Sequence, residues 1–181
     1  MAVRHYFEGT QAMALMLSEA FRVAFPDYHT KYQKAFEAGV WYDEDPGPWL
    51  GRAIVWKLQV RPHVDGLDDG PTAAFNCGSY YDGPMYLPDL GLKLAYAPGD
   101  VLIFMSGQLY HAVGDWKPKS HPTLTPGRIG NVFFFPRAAY DVLEGRPAAW
   151  NRRTMTGTFP DSKSGTNYLR EMFNKIKSRF H

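Results

Sequence analysis

The middle of the chain is a succession of short apolar segments separated by turn-forming residues, and this pattern constrains the fold more than any other feature. Gly, Pro and Asp stand in nearly every gap between the segments. Strands are predicted at 53–60, 72–80, 85–87, 93–96, 101–105, 110–113 and 129–135. Short strands at this spacing are typical of an all-β barrel or sandwich.

Helices are expected on both sides of these strands. Apolar residues recur at helical spacing up to Ala24, Thr10 can cap that segment, and Pro26 separates it from a second helix. Helices are predicted at 10–24, 27–38, 138–143 and 166–180. We expect the first two to cover the outer face of a sheet. The segments 116–126 and 147–160 are expected to be irregular, because several prolines interrupt them.

The length and composition favour one domain with a substantial core. The chain has 181 residues, 45% of them hydrophobic, which suits a single domain better than two. We divide it into a helical support and loop (1–50), a strand-rich core (51–137) and a C-terminal extension (138–181). Cys77 is the single cysteine, which excludes an intrachain disulfide and fits a reducing compartment. No apolar run is long enough to span a membrane. We therefore expect an intracellular protein of the nucleus or cytoplasm, whose oligomeric state is left open.

A metal site is predicted at the end of the first strand. In the run Arg61–Gly66, His63 and Asp65 are two residues apart, and on an extended strand such residues point to one face. His111, in a later strand-like segment, is the best candidate for a third ligand. Two histidines and one carboxylate are the facial triad of non-haem Fe(II) oxygenases. Arg128 opens another strand 17 residues after His111, and its planar fork could hold a dicarboxylate.

These residues carry a resemblance to a known family. The run from Leu58 to Phe135 resembles the double-stranded β-helix core of the Fe(II)/2-oxoglutarate dioxygenases, and the text from His63 to Trp116 is most similar to the fungal branch of the TET/JBP-like oxygenases. The resemblance implies a mainly β fold with flanking helices (α+β). It implies Fe(II) at the three ligands, 2-oxoglutarate as cosubstrate, O2, and ascorbate as reductant. The implied reaction is hydroxylation of a C–H bond, coupled to decarboxylation of 2-oxoglutarate to succinate.

Further site residues are expected on the strands and in one aromatic loop. Asn76 and Tyr80 are candidate contacts of the cosubstrate, because their strands should line the barrel, and Tyr86 is a candidate contact of the substrate. Trp41 and Trp49 lie in a loop with two prolines, where they could stack on a planar substrate or instead attach the loop to the barrel.

The acidic run that follows the proposed ligands is not a calcium loop. Counted from Asp65, an EF-hand would need an oxygen ligand at the third position and a Glu at the twelfth, where Leu67 and Asn76 stand. Asp68 and Asp69 are expected to form turns or to support the ligands.

Charge is concentrated at the C-terminal end. Residues 146–181 hold eight Lys or Arg against two acids, a net charge of +6, which leaves −4 for residues 1–145. A basic tail can follow phosphates, or it can be the solvated face of a helix. Three functions stay open: oxidation of a methylated pyrimidine in nucleic acid, the same chemistry on a protein side chain or small metabolite, and a non-catalytic binding module.

Overall fold

Two four-stranded antiparallel sheets form the centre of the protein. The computed structural model describes residues 2–56, 60–119 and 127–154. The strands are β1 (Gly51–Trp56), β2 (Val60–His63), β3 (Thr72–Gly78), β4 (Tyr80–Asp82), β5 (Met85–Leu87), β6 (Leu92–Leu94), β7 (Val101–Phe104), β8 (His111–Val113), β9 (Trp116–Pro118) and β10 (Arg128–Phe134). The helices are α1 (Ala2–Ala24), α2 (Pro26–Gly39), α3 (Arg137–Leu143) and α4 (Trp150–Thr154).

The strand order shows a double-stranded β-helix. One sheet has the order β1-β10-β3-β7 and the other β2-β8-β5-β6, while β4 and β9 form a separate two-stranded ribbon. Apart from the β5–β6 hairpin and the ribbon, successive strands belong to opposite sheets, so that each sheet combines strands that are distant in sequence. The expected α+β fold class, with a double-stranded β-helix core, is confirmed.

The first two helices cover the outer face of the first sheet, as expected. Their buried side chains join those of β3 and β10 in one apolar cluster, which includes Leu17, Phe21, Tyr32, Phe75 and Phe133. Side chains alternate across a strand. The neighbouring residues of β3 and β10 therefore point away from the helices, into the space between the two sheets.

A buried ion pair fixes the loop between α2 and β1. Arg52 Nη2 lies 2.7 Å from Asp45 Oδ1, and both side chains are less than a tenth exposed. The Gly47 N–H donates to the same carboxylate oxygen, and Arg52 Nη1 donates to the Trp49 carbonyl. The Arg52 guanidinium also lies 4.0 Å from the centre of the Phe133 ring. The pair thus joins the loop, the edge strand and the helix-covered core.

Several predicted boundaries were wrong. The first helix begins at Ala2, so Thr10 lies inside it, where its hydroxyl donates to the Tyr6 carbonyl instead of capping the helix. The predicted strand 72–80 is divided between β3 and β4, and the strand 93–96 ends at Leu94, because Tyr96 has a φ of 50°. The predicted strand 53–60 corresponds to β1 and the start of β2, and residues 57–59 between them lie outside the described residues.

Two elements were missed. β9 lies within a segment expected to be a loop, and α4 within one expected to be irregular. The predicted helix at 166–180 and nearly all of the basic tail lie outside the described residues. Among the described helices, none has the length and apolarity needed to cross a membrane.

Candidate metal and cosubstrate site

Strand pairing brings the two predicted histidine ligands together. His63 at the end of β2 is the register partner of His111 at the start of β8, and directly opposed residues of antiparallel strands have adjacent side chains. Their ring centres are 4.2 Å apart. A separation of 48 residues in sequence therefore becomes a direct contact.

The third predicted ligand lies between the two rings. Asp65 Oδ1 is 3.4 Å from His63 Nε2, and Asp65 Oδ2 is 3.5 Å from His111 Nε2. One nitrogen or oxygen of each residue lies within 4.8 Å of those of the other two. Ligand atoms about 2.1 Å from one metal ion at right angles are about 3 Å apart. The three side chains therefore need only small movements to hold one ion.

Asp65 reaches this position from a loop, and the expectation that it lies on the strand was wrong. β2 ends at His63, and the Asp65 N–H donates to the Ser106 carbonyl at 2.9 Å. Ser106 is fully buried, and its hydroxyl donates to Thr72 Oγ1 at 2.8 Å. The loop that carries Asp65 is therefore held by the loop that precedes His111.

Both imidazole rings are oriented by their own backbone. His63 Nδ1 lies 2.9 Å from the Arg61 carbonyl, and His111 Nδ1 lies 3.1 Å from the Leu109 carbonyl. A carbonyl oxygen can only accept, so each Nδ1 carries a proton, and in a neutral ring the lone pair of Nε2 is then left for a metal. Burial also lowers the pKa of His111, which favours the neutral ring that metals bind. The cluster therefore has the donor set and the tautomers that fit Fe(II).

A cavity of about 330 Å³ extends from this cluster between the two sheets. Its volume is within the range of small-molecule sites. Most of its wall is apolar, with Met85, Phe104 and Val132 among the side chains that line it. The polar groups in the wall are the three candidate ligands together with Asp68, Thr72, Asn76, Tyr96, Arg128 and Asn131.

Arg128 supplies a cation to the same cavity. It is 3% exposed, and its Nη2 donates to Asn76 Oδ1 at 2.5 Å. Its Nε has no hydrogen-bond partner among the described residues. Gly130, two residues along β10, has no side chain, and a Cβ there would lie 3.5 Å from Arg128 Nη1. A buried guanidinium that lines the cavity and has an unpaired N–H fits an anionic ligand.

Of the two predicted cosubstrate contacts, Asn76 lines the cavity and Tyr80 does not. Asn76 lines the cavity, and its amide also donates to the Tyr96 carbonyl at 3.3 Å. The Tyr80 hydroxyl donates to that same carbonyl at 3.3 Å. Tyr80 does not line the cavity but is close to Arg128: burial raises the pKa of Tyr80, and the Arg128 charge opposes this shift. Tyr80 is therefore a supporting residue of the cavity wall, while Asn76 holds Arg128.

The aromatic residues proposed to contact the substrate lie away from the cavity. Trp49 is fully buried, stacks on Phe21 at 4.6 Å and donates from its indole N–H to the Pro71 carbonyl. It packs in the core, so of the two alternatives for Trp49 the structure supports attachment of the loop and contradicts a substrate contact. Trp41 is 55% exposed and Tyr86 is 36% exposed, and neither lines the cavity. Tyr86 points outward from β5 because Met85 and Leu87 occupy the inner face.

Asp68 and Tyr96 were not predicted as cavity residues. Asp68 is 8% exposed, and burial, together with the nearby Asp65 charge, raises its pKa to about 6. Tyr96 is 4% exposed, and its ring centre lies 5.8 Å from the Arg128 guanidinium. An aspartate three residues after a ligand was visible in the sequence, but the turn that points it inward was not. Nothing in the sequence distinguished Tyr96 from a packing residue.

Comparisons with known proteins find similarity both in sequence and in structure. No family model matches the chain. Tet-like dioxygenase 1 of Naegleria gruberi is 35% identical over 77 residues, which are 41% of this chain and 22% of that protein. The chain thus spans about a fifth of the length of this relative.

One of the matching solved structures is NgTET1 in complex with 5mC DNA. It superposes with a TM-score of 0.57 and 18% identity, over 81% of this chain and 55% of that one. At 18% identity this structural match shows the fold alone. The sequence similarity over 77 residues supports a relationship with the Tet-like dioxygenase. The chain is therefore related to the TET/JBP-like Fe(II)/2-oxoglutarate oxygenases and has their double-stranded β-helix core.

Proposed function

We propose that this protein is an Fe(II)/2-oxoglutarate-dependent dioxygenase that hydroxylates a C–H bond of a methylated pyrimidine base in nucleic acid. The observation that carries the proposal is the convergence of His63, Asp65 and His111 on one cavity that also contains the buried Arg128. Two histidines and one carboxylate leave coordination positions open for a cosubstrate and O2. A structural histidine pair would not need a buried guanidinium that forms no ion pair with any described carboxylate in the same cavity.

Each residue has a defined task in this proposal. His63, Asp65 and His111 hold Fe(II), which with 2-oxoglutarate and O2 supplies the chemistry that yields succinate, CO2 and a hydroxylated product. Arg128 binds the far carboxylate of 2-oxoglutarate, and Asn76 fixes the orientation of the guanidinium. The apolar wall excludes water around the reacting groups.

The nucleic-acid substrate is supported by the relatives and by one cavity residue. The solved relative is a complex with 5mC DNA. Asp68 lines the cavity, and the proposal uses it neither as a metal ligand nor as an ion-pair partner of Arg128. Its carboxylate could accept a hydrogen bond from the amino group of a cytosine, a common pairing in nucleic-acid recognition. A base in a duplex would have to leave the stack to reach this group.

The first test is succinate formation from 2-oxoglutarate with Fe(II), ascorbate and O2, comparing the wild type with His63→Ala. Succinate from the wild type alone would support the iron chemistry. Equal signals from both proteins, or no binding of 2-oxoglutarate to the Fe(II) protein, would refute it and favour a non-catalytic binding module.

The second test identifies the substrate. An oligonucleotide that contains 5-methylcytosine is incubated with active enzyme, and the masses of its separated nucleosides are measured by mass spectrometry. The unmethylated oligonucleotide is the control. We expect a product 16 Da heavier than methylcytidine, the mass of one oxygen atom. Succinate formation without oxidised base would reject the nucleic-acid substrate and leave a protein side chain or small metabolite.

A further inference from the structure

A second concave surface lies outside the cavity, between the β4–β9 ribbon and the hairpin of β5 and β6. Its volume is about 720 Å³, and it is open to solvent. Two exposed tyrosines and three exposed lysines define it, and we name it the lysine–tyrosine groove: Tyr81, Tyr86, Lys93, Lys117 and Lys119.

Strand pairing places these side chains in alternation. Tyr81 is the register partner of Lys117 on the ribbon, and Tyr86 is the partner of Lys93 on the hairpin. The Lys119 ammonium lies 5.0 Å from the centre of the Tyr81 ring, and the Lys93 ammonium lies 5.7 Å from that of Tyr86. Each tyrosine ring therefore has an ammonium group over one of its faces.

The lysines carry positive charge that is free to meet a ligand. Within the described part of the chain, no carboxylate forms an ion pair with Lys93, Lys117 or Lys119. Two acids also line the groove, Asp82 and Asp115. The groove therefore has a net charge of +1, which its lysines concentrate beside the rings.

We propose that the lysine–tyrosine groove binds a single strand of nucleic acid. Exposed aromatic faces beside cations match unstacked bases joined by phosphates. A duplex offers phosphates but keeps its bases stacked, so it would leave Tyr81 and Tyr86 without a role. An acidic peptide would use the lysines and likewise leave the rings unused.

The groove and the cavity share one wall. Tyr80 lines the groove, and its hydroxyl donates to the carbonyl of Tyr96, whose side chain lines the cavity next to Arg128. The groove is thus a separate surface behind the proposed cosubstrate site. The inference extends the proposed nucleic-acid substrate by naming a second place where the strand is held, and it can be tested without catalysis.

The test is fluorescence anisotropy with a labelled oligothymidine of twelve nucleotides, in EDTA and without 2-oxoglutarate. This probe contains no cytosine, and the metal site is not needed. The aromatic variant is Tyr81→Ala with Tyr86→Ala, the cationic variant replaces the three lysines by Gln, and Lys34→Gln on α2 is the control. Residues 155–181 are present in every protein, so differences between variants report the groove alone.

We expect the aromatic variant, which loses both rings, to raise the Kd by at least about 25-fold, about fivefold for each stacked base. The cationic variant should lower the slope of log K against log salt by about 2, since each neutralised phosphate of a single strand contributes about 0.7. The control should match the wild type. Circular dichroism melting checks that every variant is folded.

Three outcomes would overturn the proposal. They are unchanged affinity in both groove variants, equal binding of a duplex of the same length, and displacement of the probe by polyglutamate at equal charge concentration. None of these outcomes bears on succinate formation, so failure of the groove and failure of the proposed function are distinguishable.

Discussion

Removal of the Arg128 guanidinium tests the cosubstrate site most directly. We choose Arg128→Met, which keeps most of the apolar stem and removes the charge. Arg128 is 3% exposed and its Nε has no described partner, so a bound carboxylate would be met by a desolvated cation. The loss should therefore be larger than at the protein surface.

The magnitude follows from the contacts. Truncating one member of a buried, hydrogen-bonded charge pair costs about 2–5 kcal/mol. At about 1.4 kcal/mol for each factor of ten, the Kd for 2-oxoglutarate should rise between about 30-fold and about 4000-fold. Pyruvate has the same keto-acid end and no distal carboxylate, so its affinity should change by less than about threefold.

The assay is anaerobic calorimetric titration of each keto acid into the Fe(II)-loaded protein. Arg137→Met is the matched control, because Arg137 follows the same strand, does not line the cavity, and donates to the Asp68 carbonyl. Equal 2-oxoglutarate affinities in the two variants would refute the role of Arg128. A parallel loss of pyruvate affinity would instead indicate a disturbed metal site.

Three further predictions test the cavity and the fold. Gly130→Val should weaken 2-oxoglutarate binding at least tenfold, because the new methyl groups would occupy the space beside the guanidinium; calorimetry should show unchanged Fe(II) binding, and unchanged binding of both would place the cosubstrate elsewhere. Asp45→Asn should lower the free energy of unfolding, measured with urea, by about 3–5 kcal/mol, because the Arg52 charge is left buried and unpaired. The double variant Asp45→Leu with Arg52→Met should lose less stability. Equal losses in the two variants would contradict the role of the unpaired charge. Burial lowers the pKa of His29, so as the pH falls the unfolded chain binds a proton at this ring before the folded protein does. The stability contributed by the neutral ring should therefore be present above about pH 6.5 and decline below it. The free energy of unfolding of His29→Gln should fall less over that range than that of the wild type, and parallel pH profiles of the two proteins would exclude the effect.

Local patterns were enough to identify the three side chains of the candidate metal site. His63 and Asp65 are close in sequence, and the strand that contains His111 was recognisable from its apolar residues. The register that makes the two histidines partners depends on how β2 and β8 pair, and no local pattern contains it. The same limit explains the error on Asp65, which lies in a loop and is positioned by a hydrogen bond to Ser106.

Residues whose environment depends on distant packing were the hardest to predict. Trp49 lies in a loop by sequence, yet the helices that pack on the first sheet enclose it completely. β9 has three residues and ends in Pro118, so its identity as a strand comes from pairing with β4. Tyr96 lines the cavity and has a φ of 50°, at the point where the chain turns after β6. These features are set by tertiary structure and not by propensity.

Exposure along the cavity indicates how a large substrate could reach the site. The side chain of His63 is 39% exposed and that of His111 is 10% exposed, whereas Arg128 at the cosubstrate site is 3% exposed. The proposed metal therefore lies towards the mouth of the cavity, and the proposed cosubstrate lies deeper. A small metabolite would not require the metal to lie near the mouth, because the whole molecule could enter the cavity. A base attached to a polymer has to present its methyl group at the mouth, and the order of exposure suits that geometry. In the metal-free protein, His63 should therefore react with diethyl pyrocarbonate faster than His111, and Arg128 should react with arginine-specific reagents far more slowly than free arginine. Equal reaction of the two histidines together with rapid modification of Arg128 would show that the three groups share one depth, and would remove the support for a polymeric substrate.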